Sequence, residues 1–368
     1  MHRMKTATML FTCLLLVLAS PAQARVYLDR IELPEGFHVE IYAEGVENAR
    51  QLALGPDGTV FAGSRQGGRV HAISDVDGDQ VADEVRIVDT RLYMPSGIAF
   101  HEGALYVAAV NRILRYDHIE ARLDFPPPPE VVTDRLPGER LHGWKYLRFG
   151  PDGLLYFNVG APCNACEREG FAEIRRIRPD GSEMQTYARG IRNSVGITFH
   201  PETGEMWFTD NGRDWLGDDL PADELNHAPE PGLHFGFPYC HQGDLPDPEH
   251  GRGHDCEDYR PPVANLGPHV APLGLAFYTG EMFPEEYRND LFVAEHGSWN
   301  RSNKIGYRIK RVRFDAAGKF IGQEVFAEGW LQGEDNWGRP NDVLVMPDGA
   351  LLVSDDQASV IYRISYRK

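Results

Sequence analysis

Positive charge is scarce in this chain. Its 368 residues contain 37 lysines and arginines against 55 aspartates and glutamates, which gives a formal net charge of -18. Nonspecific nucleic-acid binding depends on clustered Lys and Arg side chains that neutralise phosphates, so this composition argues against such a partner. An anionic ligand would need a local group of arginines instead.

Long hydrophobic runs are equally scarce, and the one exception lies at the N-terminus. An apolar run from Ala7 to Ala19 follows Arg3 and Lys5 and precedes the small residues Ala22-Gln23-Ala24. This order predicts a signal peptide over residues 1–24, and therefore a secreted or periplasmic protein. The alternative is an uncleaved membrane anchor, but the run is short for a membrane span. No later segment is apolar enough to cross a bilayer.

Cysteines are few, and their number limits their chemistry. Of the five, Cys13 lies in the predicted signal peptide, which leaves two pairs. An even number in an exported chain predicts the disulfides Cys163–Cys166 and Cys240–Cys256. Haem attachment is excluded because Glu167 stands where a histidine is required. A redox-active Cys-x-x-Cys lacks its usual strand-helix setting, and the predicted export disfavours a four-cysteine zinc site.

Long helical periodicity is absent, and a strand-turn-strand unit recurs instead. Two copies contain the same turn, Gly55-Pro-Asp-Gly58 and Gly150-Pro-Asp-Gly153. The six copies begin near residues 52, 97, 146, 196, 274 and 342. Six such units predict an all-β fold, a six-bladed β-propeller formed as one domain by residues 25–368. A β-sandwich would not repeat one turn around the whole chain. A strand at Phe37–Tyr42 is predicted to complete the last blade and close the ring.

Function in a propeller is expected on the loops at one end of the central channel. The predicted channel loops contain one central histidine and several arginines; they are Asn48–Arg50, Pro95–Ser96, Leu141–Gly143, Arg192–Asn193, His269, Arg339–Asn341, Ala161–Cys163, Asn211–Asp214, Glu295–Arg301 and Asp355–Asp356. Arginines bind a planar anion through bidentate hydrogen bonds. His142 is the candidate general base, because histidine is the side chain most easily poised near neutral pH. The insert from Asp218 to Pro272 is predicted to be a long ordered loop over one face.

Five segments of the chain, in this order, resemble a known family. They are the Leu-His-Gly loop before Phe149-Gly-Pro-Asp-Gly153, then Gly190-Ile-Arg-Asn193, Glu224-Leu-Asn226, Glu295-His-Gly-Ser-Trp-Asn-Arg301 and Gly338-Arg-Pro-Asn-Asp342. The chain is similar in them to the soluble glucose/sorbosone dehydrogenases. The resemblance covers nearly all of the chain after the signal peptide. It implies a six-bladed propeller that uses pyrroloquinoline quinone (PQQ) and calcium.

The resemblance also implies roles for individual residues. His142 matches the catalytic base, and Arg192 and Asn193 match the pair that contacts the quinone, with Arg192 near its reactive carbonyl. Gly212 and Arg213 match the residues whose backbone carbonyls bind calcium, and Arg339 matches one of two arginines that bind the cofactor's carboxylates. His142 would remove a proton from the substrate hydroxyl as hydride passes to PQQ. Electrons would then go to an external acceptor, since no haem motif is present.

Two departures from the family pattern affect the ligands. Asn341 stands where the second arginine is expected, so Arg301 or Lys304 would have to supply its charge. Ala161 stands where a substrate-binding aspartate is expected, nineteen residues after the base. The resemblance therefore predicts the substrate only as a sugar or a related aldehyde or alcohol.

A separate acidic stretch has the spacing of a calcium loop. Asp75, Asp77, Asp79 and Asp83 alternate as in such loops, but Arg86 replaces the terminal Glu and Gln80 the central Gly. The stretch is either a calcium site or a solvated acidic hairpin.

Two other readings of the whole chain remain open, a calcium-dependent lactonase-type propeller and a binding propeller without catalysis. Zinc is disfavoured because the histidines of the insert lack tight helical spacing; they are His227, His234, His241, His250, His254 and His269.

Overall fold

The computed structural model describes residues 25–367, so the predicted signal peptide at residues 1–24 lies outside the described range. Helical structure in that range consists of four short 3-10 helices, Leu28–Arg30, Glu120–Arg122, Cys256–Asp258 and Glu285–Tyr287. No helix among the described residues has the length and hydrophobicity needed to cross a membrane.

The strands form six four-stranded antiparallel sheets, which confirms the predicted six-bladed propeller. Blade 1 contains β2 (Ala49–Leu54), β3 (Val60–Ser64), β4 (Val70–Ser74) and β5 (Glu84–Asp89). Blade 2 contains β6 (Gly97–His101), β7 (Ala104–Ala109), β8 (Arg112–Asp117) and β9 (Glu130–Thr133). Blade 3 contains β10 (Leu147–Phe149), β11 (Leu155–Val159), β12 (Glu173–Ile177) and β13 (Gln185–Arg189).

The second half of the ring repeats this order with two additions. Blade 4 contains β14 (Gly196–Phe199), β15 (Met206–Asp210), β16 (Ala222–Ala228) and β19 (Ala264–Pro268). Blade 5 contains β20 (Pro272–Phe277), β21 (Leu291–Glu295), β22 (Arg308–Phe314) and β23 (Phe320–Ala327). Blade 6 contains β26 (Pro340–Val345), β27 (Leu351–Asp355), β28 (Val360–Tyr366) and β1 (Phe37–Glu44). Two minor hairpins pair β17 (Cys240–His241) with β18 (Leu245–Pro246) and β24 (Leu331–Gln332) with β25 (Asp335–Asn336).

The repeated Gly-Pro-Asp-Gly turn has the same geometry in both copies. In blade 1 the Gly55 N–H donates to Thr59 O at 2.9 Å and the Gly58 N–H to Gly55 O at 3.1 Å. Gly58 has a φ of 92°, which lies in the region that favours glycine. The equivalent turn from Gly150 to Leu154 makes both corresponding bonds in blade 3. The turn therefore sets the register between the first two strands of a blade.

The first strand of each blade lies beside the first strands of both neighbouring blades, so these six strands surround the channel. Side chains tie them together there. Gln51 Oε1 accepts the N–H groups of Ile98 and Leu147 at 2.9 Å each. Asp342 accepts the Leu52 N–H at 2.7 Å and the Tyr146 hydroxyl at 3.1 Å. These buried bonds link blades 1, 2, 3 and 6.

The N-terminal strand closes the ring, as predicted. β1 pairs with β28 along its length, with Phe37 opposite Tyr366. The Phe37 ring packs edge-on against Phe283, Tyr287 and Phe326, with centroids 4.8, 5.1 and 5.0 Å away. One strand thus joins both chain ends to the aromatic core between blades 5 and 6.

Both predicted disulfides are confirmed, Cys163–Cys166 and Cys240–Cys256. The predicted insert from Asp218 to Pro272 is wrong as a continuous loop, because β16 and β19 within it are the outer strands of blade 4. Short polar stretches such as Asp223-Glu-Leu-Asn226 lack a clear alternation, which hides a strand. The true insertion covers residues 229–263.

Phe37→Ala should lower the free energy of unfolding by about 3–5 kcal/mol, the usual cost of deleting a buried aromatic ring. His38→Ala on the same strand removes an exposed side chain and should change it by less than about 0.5 kcal/mol. Urea unfolding measures both. Equal stability of the two variants would show that the Phe37 contacts do not hold the ring closed.

Candidate active site

A cavity of about 380 Å³ lies where the channel loops converge. His142, Arg192, Asn193, Gly212 and Arg339 all line it, so residues from blades 3, 4 and 6 meet at one point. The structure thus brings together most of the residues for which the sequence analysis predicts a role.

His142 is held with one ring nitrogen committed to the backbone. Its Nδ1 lies 2.8 Å from Ala161 O, and a carbonyl can only accept, so Nδ1 carries the proton and Nε2 keeps a lone pair. The turn is tight: His142 has a φ of 49°, and a Cβ on Gly160 would lie 2.6 Å from the His142 Cβ. Burial, and then the nearby Arg192, lowers the pKa of His142 to about 3. The imidazole is therefore neutral and oriented as a base.

Ala161 has a backbone role in this arrangement. Its carbonyl accepts from His142, and its own N–H donates to Arg192 O at 2.7 Å. The position where the family pattern led us to expect a substrate-binding aspartate therefore orients the base through main-chain atoms.

Three arginines, Arg50, Arg65 and Arg339, line the cavity close to one another. The Arg65 guanidinium lies over the Trp144 ring at 4.2 Å, and its Nε is buried without a hydrogen-bond partner among the described residues. Burial, followed by repulsion from Arg50, lowers the pKa of Arg65 to about 10. Positive charge is thus concentrated beyond what the surrounding protein neutralises.

Arg50 and Arg339, the other two arginines of this cluster, are held in place by hydrogen bonds to the protein. Arg50 Nη1 donates to Asp356 Oδ2 at 2.7 Å, and His296 Nε2 lies 2.8 Å from Asp356 Oδ1. Burial raises the pKa of Asp356, but His296 and Arg50 together hold it well below its usual value. Arg339 donates from Nε to His296 O at 2.9 Å and from Nη2 to Gly297 O at 2.6 Å. Both guanidinium groups are therefore fixed before any ligand arrives.

Arg192 differs from this cluster because all five of its N–H donors are used. Nε donates to Asn164 O at 2.8 Å, and Nη2 donates to Asn164 Oδ1 and to Asp214 Oδ2 at 2.9 Å each. Nη1 donates to Asn211 O at 3.1 Å and to Gly212 O at 2.7 Å. The side chain is 4% exposed. Arg192 therefore lines the cavity with no donor left for a quinone.

Asn193 differs from Arg192 because one of its side-chain polar atoms is not bonded to any described residue. Its side-chain oxygen is buried and has no partner among residues 25–367. The backbone N–H groups of Arg192 and Asn193 donate to the two oxygens of Asp210, at 2.8 and 2.6 Å. Burial raises the pKa of Asp210 to about 7. The Arg-Asn loop is thus held by a buried carboxyl, with one polar atom of Asn193 left for a ligand.

The predicted substitutes for the second cofactor arginine, Arg301 and Lys304, lie outside the cavity lining. Arg301 donates to Asp218 O at 2.7 Å, and Lys304 donates to Glu334 O at 2.7 Å; neither lines the cavity. Asn341 is also outside the lining and supports Arg50, its amide oxygen accepting from Arg50 Nη1 at 2.6 Å once the amide is turned over. Arg50 and Arg65 do line the cavity.

The position of Arg65 in the repeat is a sequence signal for its place at the cavity. It directly follows β3, the second strand of blade 1, as Asn211, His296 and Asp356 directly follow the second strands of blades 4, 5 and 6. Aligning the repeats strand by strand places Arg65 in this set. Arg50 lies in a predicted channel loop that was given no role.

The Gly212 carbonyl, one of the two predicted calcium ligands, accepts from Arg192 as described above. The other predicted ligand is the backbone carbonyl of Arg213, whose side chain binds Asp247 at 2.5 Å and Glu249 at 3.1 Å. Calcium at these two carbonyls stays a prediction. Asp247 belongs to the insertion, which packs beside the site.

In the separate acidic loop, ligand atoms of Asp75, Asp77 and Asp83 lie within 4.8 Å of one another, without Asp79. Calcium in this loop stays a prediction.

Two exposed tryptophans stand at the mouth of the cavity. Trp299 lines it and is 63% exposed, and its ring lies edge-on to Trp215, which is 69% exposed, at 5.4 Å. Large exposed aromatic rings on a soluble domain are unusual and mark binding surfaces.

The fold and the cavity define a six-bladed propeller with a buried cationic pocket and one oriented histidine. The chain belongs to the glucose/sorbosone dehydrogenase family, whose family model matches residues 129–363.

The chain is also similar to individual proteins along nearly its whole length. An uncharacterized protein of Borreliella burgdorferi is 31% identical over 375 residues, covering 98% of this chain and 97% of that protein. The calcium structure of a Trichoderma reesei enzyme of carbohydrate-active family AA12 has a TM-score of 0.82 at 18% identity, covering 92% of this chain and 97% of that one. The holo PQQ domain of Coprinopsis cinerea pyranose dehydrogenase has a TM-score of 0.78 at 20% identity, covering 91% and 97%.

The pKa of His142 predicts how the stability depends on pH. In the unfolded chain a histidine titrates near pH 6.5, whereas in the folded protein His142 titrates near 3. Between these values the unfolded state binds the extra proton, so stability falls as the pH drops from about 6.5.

His142→Gln should therefore lose less stability on acidification than the parent, and the two curves should run parallel above pH ~7. Urea unfolding over a pH series measures this. Equal slopes between pH ~4 and ~6 would show that His142 is protonated in the folded protein.

Proposed function

We propose that this protein is a PQQ-dependent dehydrogenase that oxidises a sugar or a related aldehyde or alcohol. The observation that carries the proposal is the group of Arg50, Arg65 and Arg339 in one cavity with His142. Guanidinium groups form bidentate bonds with carboxylates, and PQQ is a planar molecule that bears several of them.

The donor set fits PQQ. Arg65 Nε is buried without a partner among the described residues, and such a donor costs free energy until a ligand satisfies it. The repulsion that lowers the pKa of Arg65 would be relieved by an anion between the arginines. Arg50, Arg65 and Arg339 would hold the carboxylates, and Asn193 would contact a polar edge of the ring system.

The backbone carbonyls of Gly212 and Arg213 would hold a calcium ion. The Gly212 oxygen accepts one N–H from Arg192 at 2.7 Å, and a carbonyl oxygen has a second lone pair for a cation. When bound, calcium would supply a Lewis acid beside the cofactor.

The chemistry assigned to the chain itself centres on His142. When bound, PQQ supplies a two-electron oxidant that accepts hydride. The lone pair on His142 Nε2 takes the proton of the substrate hydroxyl, because Nδ1 is fixed on Ala161 O. Burial, and then the charges of Arg192 and Arg65, lower the pKa of His142. An anionic ligand on Arg65 would offset part of that effect and make the imidazole a stronger base when the cavity is loaded.

The cavity mouth supports a sugar as substrate. Trp299 and Trp215 present apolar ring faces beside a polar pocket, and a sugar has both apolar C–H faces and hydroxyl groups. Ala161 offers no carboxylate to one particular hydroxyl, so the pocket would accept several related substrates.

The lactonase-type alternative is less well supported. It requires carboxylates at the channel mouth that are available to a metal. Asp223 accepts from the N–H groups of Gly212 and Ala271 at 2.7 and 2.8 Å. Asp214 binds Arg192 and Asn300 at 2.9 and 2.7 Å.

We also propose that the protein acts outside the cytoplasm. Two disulfides persist in oxidising compartments, and the N-terminal sequence has the features of a signal peptide. An exported dehydrogenase of this kind would pass electrons to a separate acceptor.

Arg65→Gln should weaken PQQ binding about 10–100-fold, since a charge-assisted hydrogen bond contributes about 1.5–3 kcal/mol. Arg69→Gln is the matched control, because Arg69 is 43% exposed and paired with Glu47 outside the cavity. Titration of the purified apoprotein with PQQ, followed by absorbance, measures both. Failure of the parent to bind PQQ at micromolar concentration would reject the proposed function.

His142→Gln should keep PQQ binding near the parent level and lower turnover by about 10²–10⁴-fold, the typical contribution of a positioned general base. Dye reduction with a panel of aldoses, aldehydes and alcohols measures turnover, and His38→Gln on β1 is the control. Turnover close to that of the parent would mean that another group removes the proton.

A further inference from the structure

Two loops meet at the mouth of the cavity, and each contains one exposed tryptophan. The loop after β15 contains Trp215, and the loop after β21 contains Trp299. Trp299 lines the cavity, whereas Trp215 lies outside its lining. The two rings are nearly perpendicular, with an interplanar angle of 86°. The pair, which we call the aromatic corner, therefore extends the wall of the cavity beyond the cavity itself.

Hydrogen bonds join the two loops on either side of the aromatic corner. Asn300, which follows Trp299, donates from Nδ2 to Oδ1 of Asp214, which precedes Trp215, at 2.7 Å. Further along, Arg301 Nη1 donates to Asp218 O at 2.7 Å. The two rings are thus held in place before a ligand arrives, which lowers the entropy cost of binding.

The backbone of Trp215 is strained. Its φ is 71°, in the left-handed region that bulky side chains rarely adopt. The exposed ring gains little burial that would offset this cost. Strained backbone and exposed aromatic rings are both features that concentrate at ligand-binding sites.

The position and charge of the aromatic corner indicate what it binds. The cavity of about 380 Å³ is near the lower end of the range for small-molecule pockets, about 300–1,000 Å³. A planar cofactor and one reacting sugar ring would fill it, so a second ring would lie at the mouth. Both oxygens of Asp214 are bonded, by Asn300 and by Arg192, so this carboxylate favours an uncharged ligand. A sugar ring is uncharged and has an apolar C–H face that packs on an indole ring.

We infer that the aromatic corner is an outer subsite for the second sugar ring of an oligosaccharide. The ring at the reducing end enters the cavity; its C1 hydroxyl gives the proton to His142 and C1 gives hydride to PQQ, which leaves a lactone. The substrate class is then a reducing oligosaccharide in preference to a free monosaccharide. This inference rests on the proposed function. Trp215 and Trp299 determine specificity and take no part in the proton or hydride transfer.

The kinetic test compares kcat/KM of the PQQ-loaded protein for glucose, maltotriose and cellotriose. We expect at least one trisaccharide to exceed glucose. Trp215→Ala should lower that ratio about 2–10-fold, the loss expected for one aromatic stacking contact. Trp215→Phe keeps a ring and should retain most of the ratio. Phe125→Ala is the matched control, because Phe125 is 86% exposed and lies outside the cavity lining.

Two kinetic results would overturn the inference. One is a parent protein that prefers glucose to both trisaccharides or does not distinguish them. The other is a Trp215→Ala protein with the parent ratio. Because the readout is a ratio between two substrates of one variant, a general loss of activity or cofactor does not change it.

A binding measurement separates the aromatic corner from the proposed function. Saturation-transfer NMR of the purified protein without PQQ detects contact between the protein and the ring protons of each trisaccharide. We expect transfer in the parent and in Phe125→Ala, and weaker transfer in Trp215→Ala. Equal transfer in the parent and in Trp215→Ala, or none in the parent, would overturn the inference. A protein that does not bind PQQ would reject the proposed function, while the NMR comparison would still decide whether the aromatic corner binds a sugar.

Discussion

Closure of the ring by β1 is the constraint on which the rest of the structure depends. Each blade packs only against its neighbours, so the channel exists only while the first and last blades are joined. β1 pairs with β28 in blade 6, with Phe37 opposite Tyr366, and the chain then continues from β1 into blade 1. Asp342 joins them at the channel, where it binds the backbone of Leu52 and the hydroxyl of Tyr146. Loops that are far apart in sequence therefore meet in a fixed arrangement at one end.

That arrangement brings positive charge into a buried space. The arginines there differ in how many of their donors are hydrogen-bonded to the protein. Arg192 has every donor satisfied by the protein, so its charge is structural. Arg65 stacks on Trp144 and keeps a buried donor without a partner among the described residues. A buried charge that lacks hydrogen bonds costs free energy, and proteins retain such costs mainly where a ligand offsets them. The difference between these two arginines separates the wall of the cavity from its ligand-binding part.

Sequence alone predicted the fold well, because a propeller repeats one strand-turn-strand unit. The turn at Gly55 returns at Gly150 with the same hydrogen bonds, and a repeated unit shows its period without any three-dimensional information. The site was predicted in part for a related reason. His142 and Arg339 lie in loops that directly precede a first strand, where the repeat is easiest to align. Arg65 directly follows the second strand of blade 1, and no channel loop was predicted at that position. The strands inside the insert were missed for another reason, because short polar stretches lack a clear alternation.

The contacts of Arg192 show a deeper limit of inference from motifs. The motif Gly190-Ile-Arg-Asn193 predicts an arginine at the cavity, but it does not show whether the guanidinium faces a ligand or the protein. Its orientation depends on contacts from elsewhere in the chain, and here it depends on Asn164. That residue lies in a disulfide-closed turn and supplies two of the oxygens around the guanidinium. Its side chain is bound to the loop that contains Asp214, so the surrounding oxygens match a planar fork of five donors. The orientation of this arginine is thus a property of the assembled site, set by a turn that has no part in the motif itself.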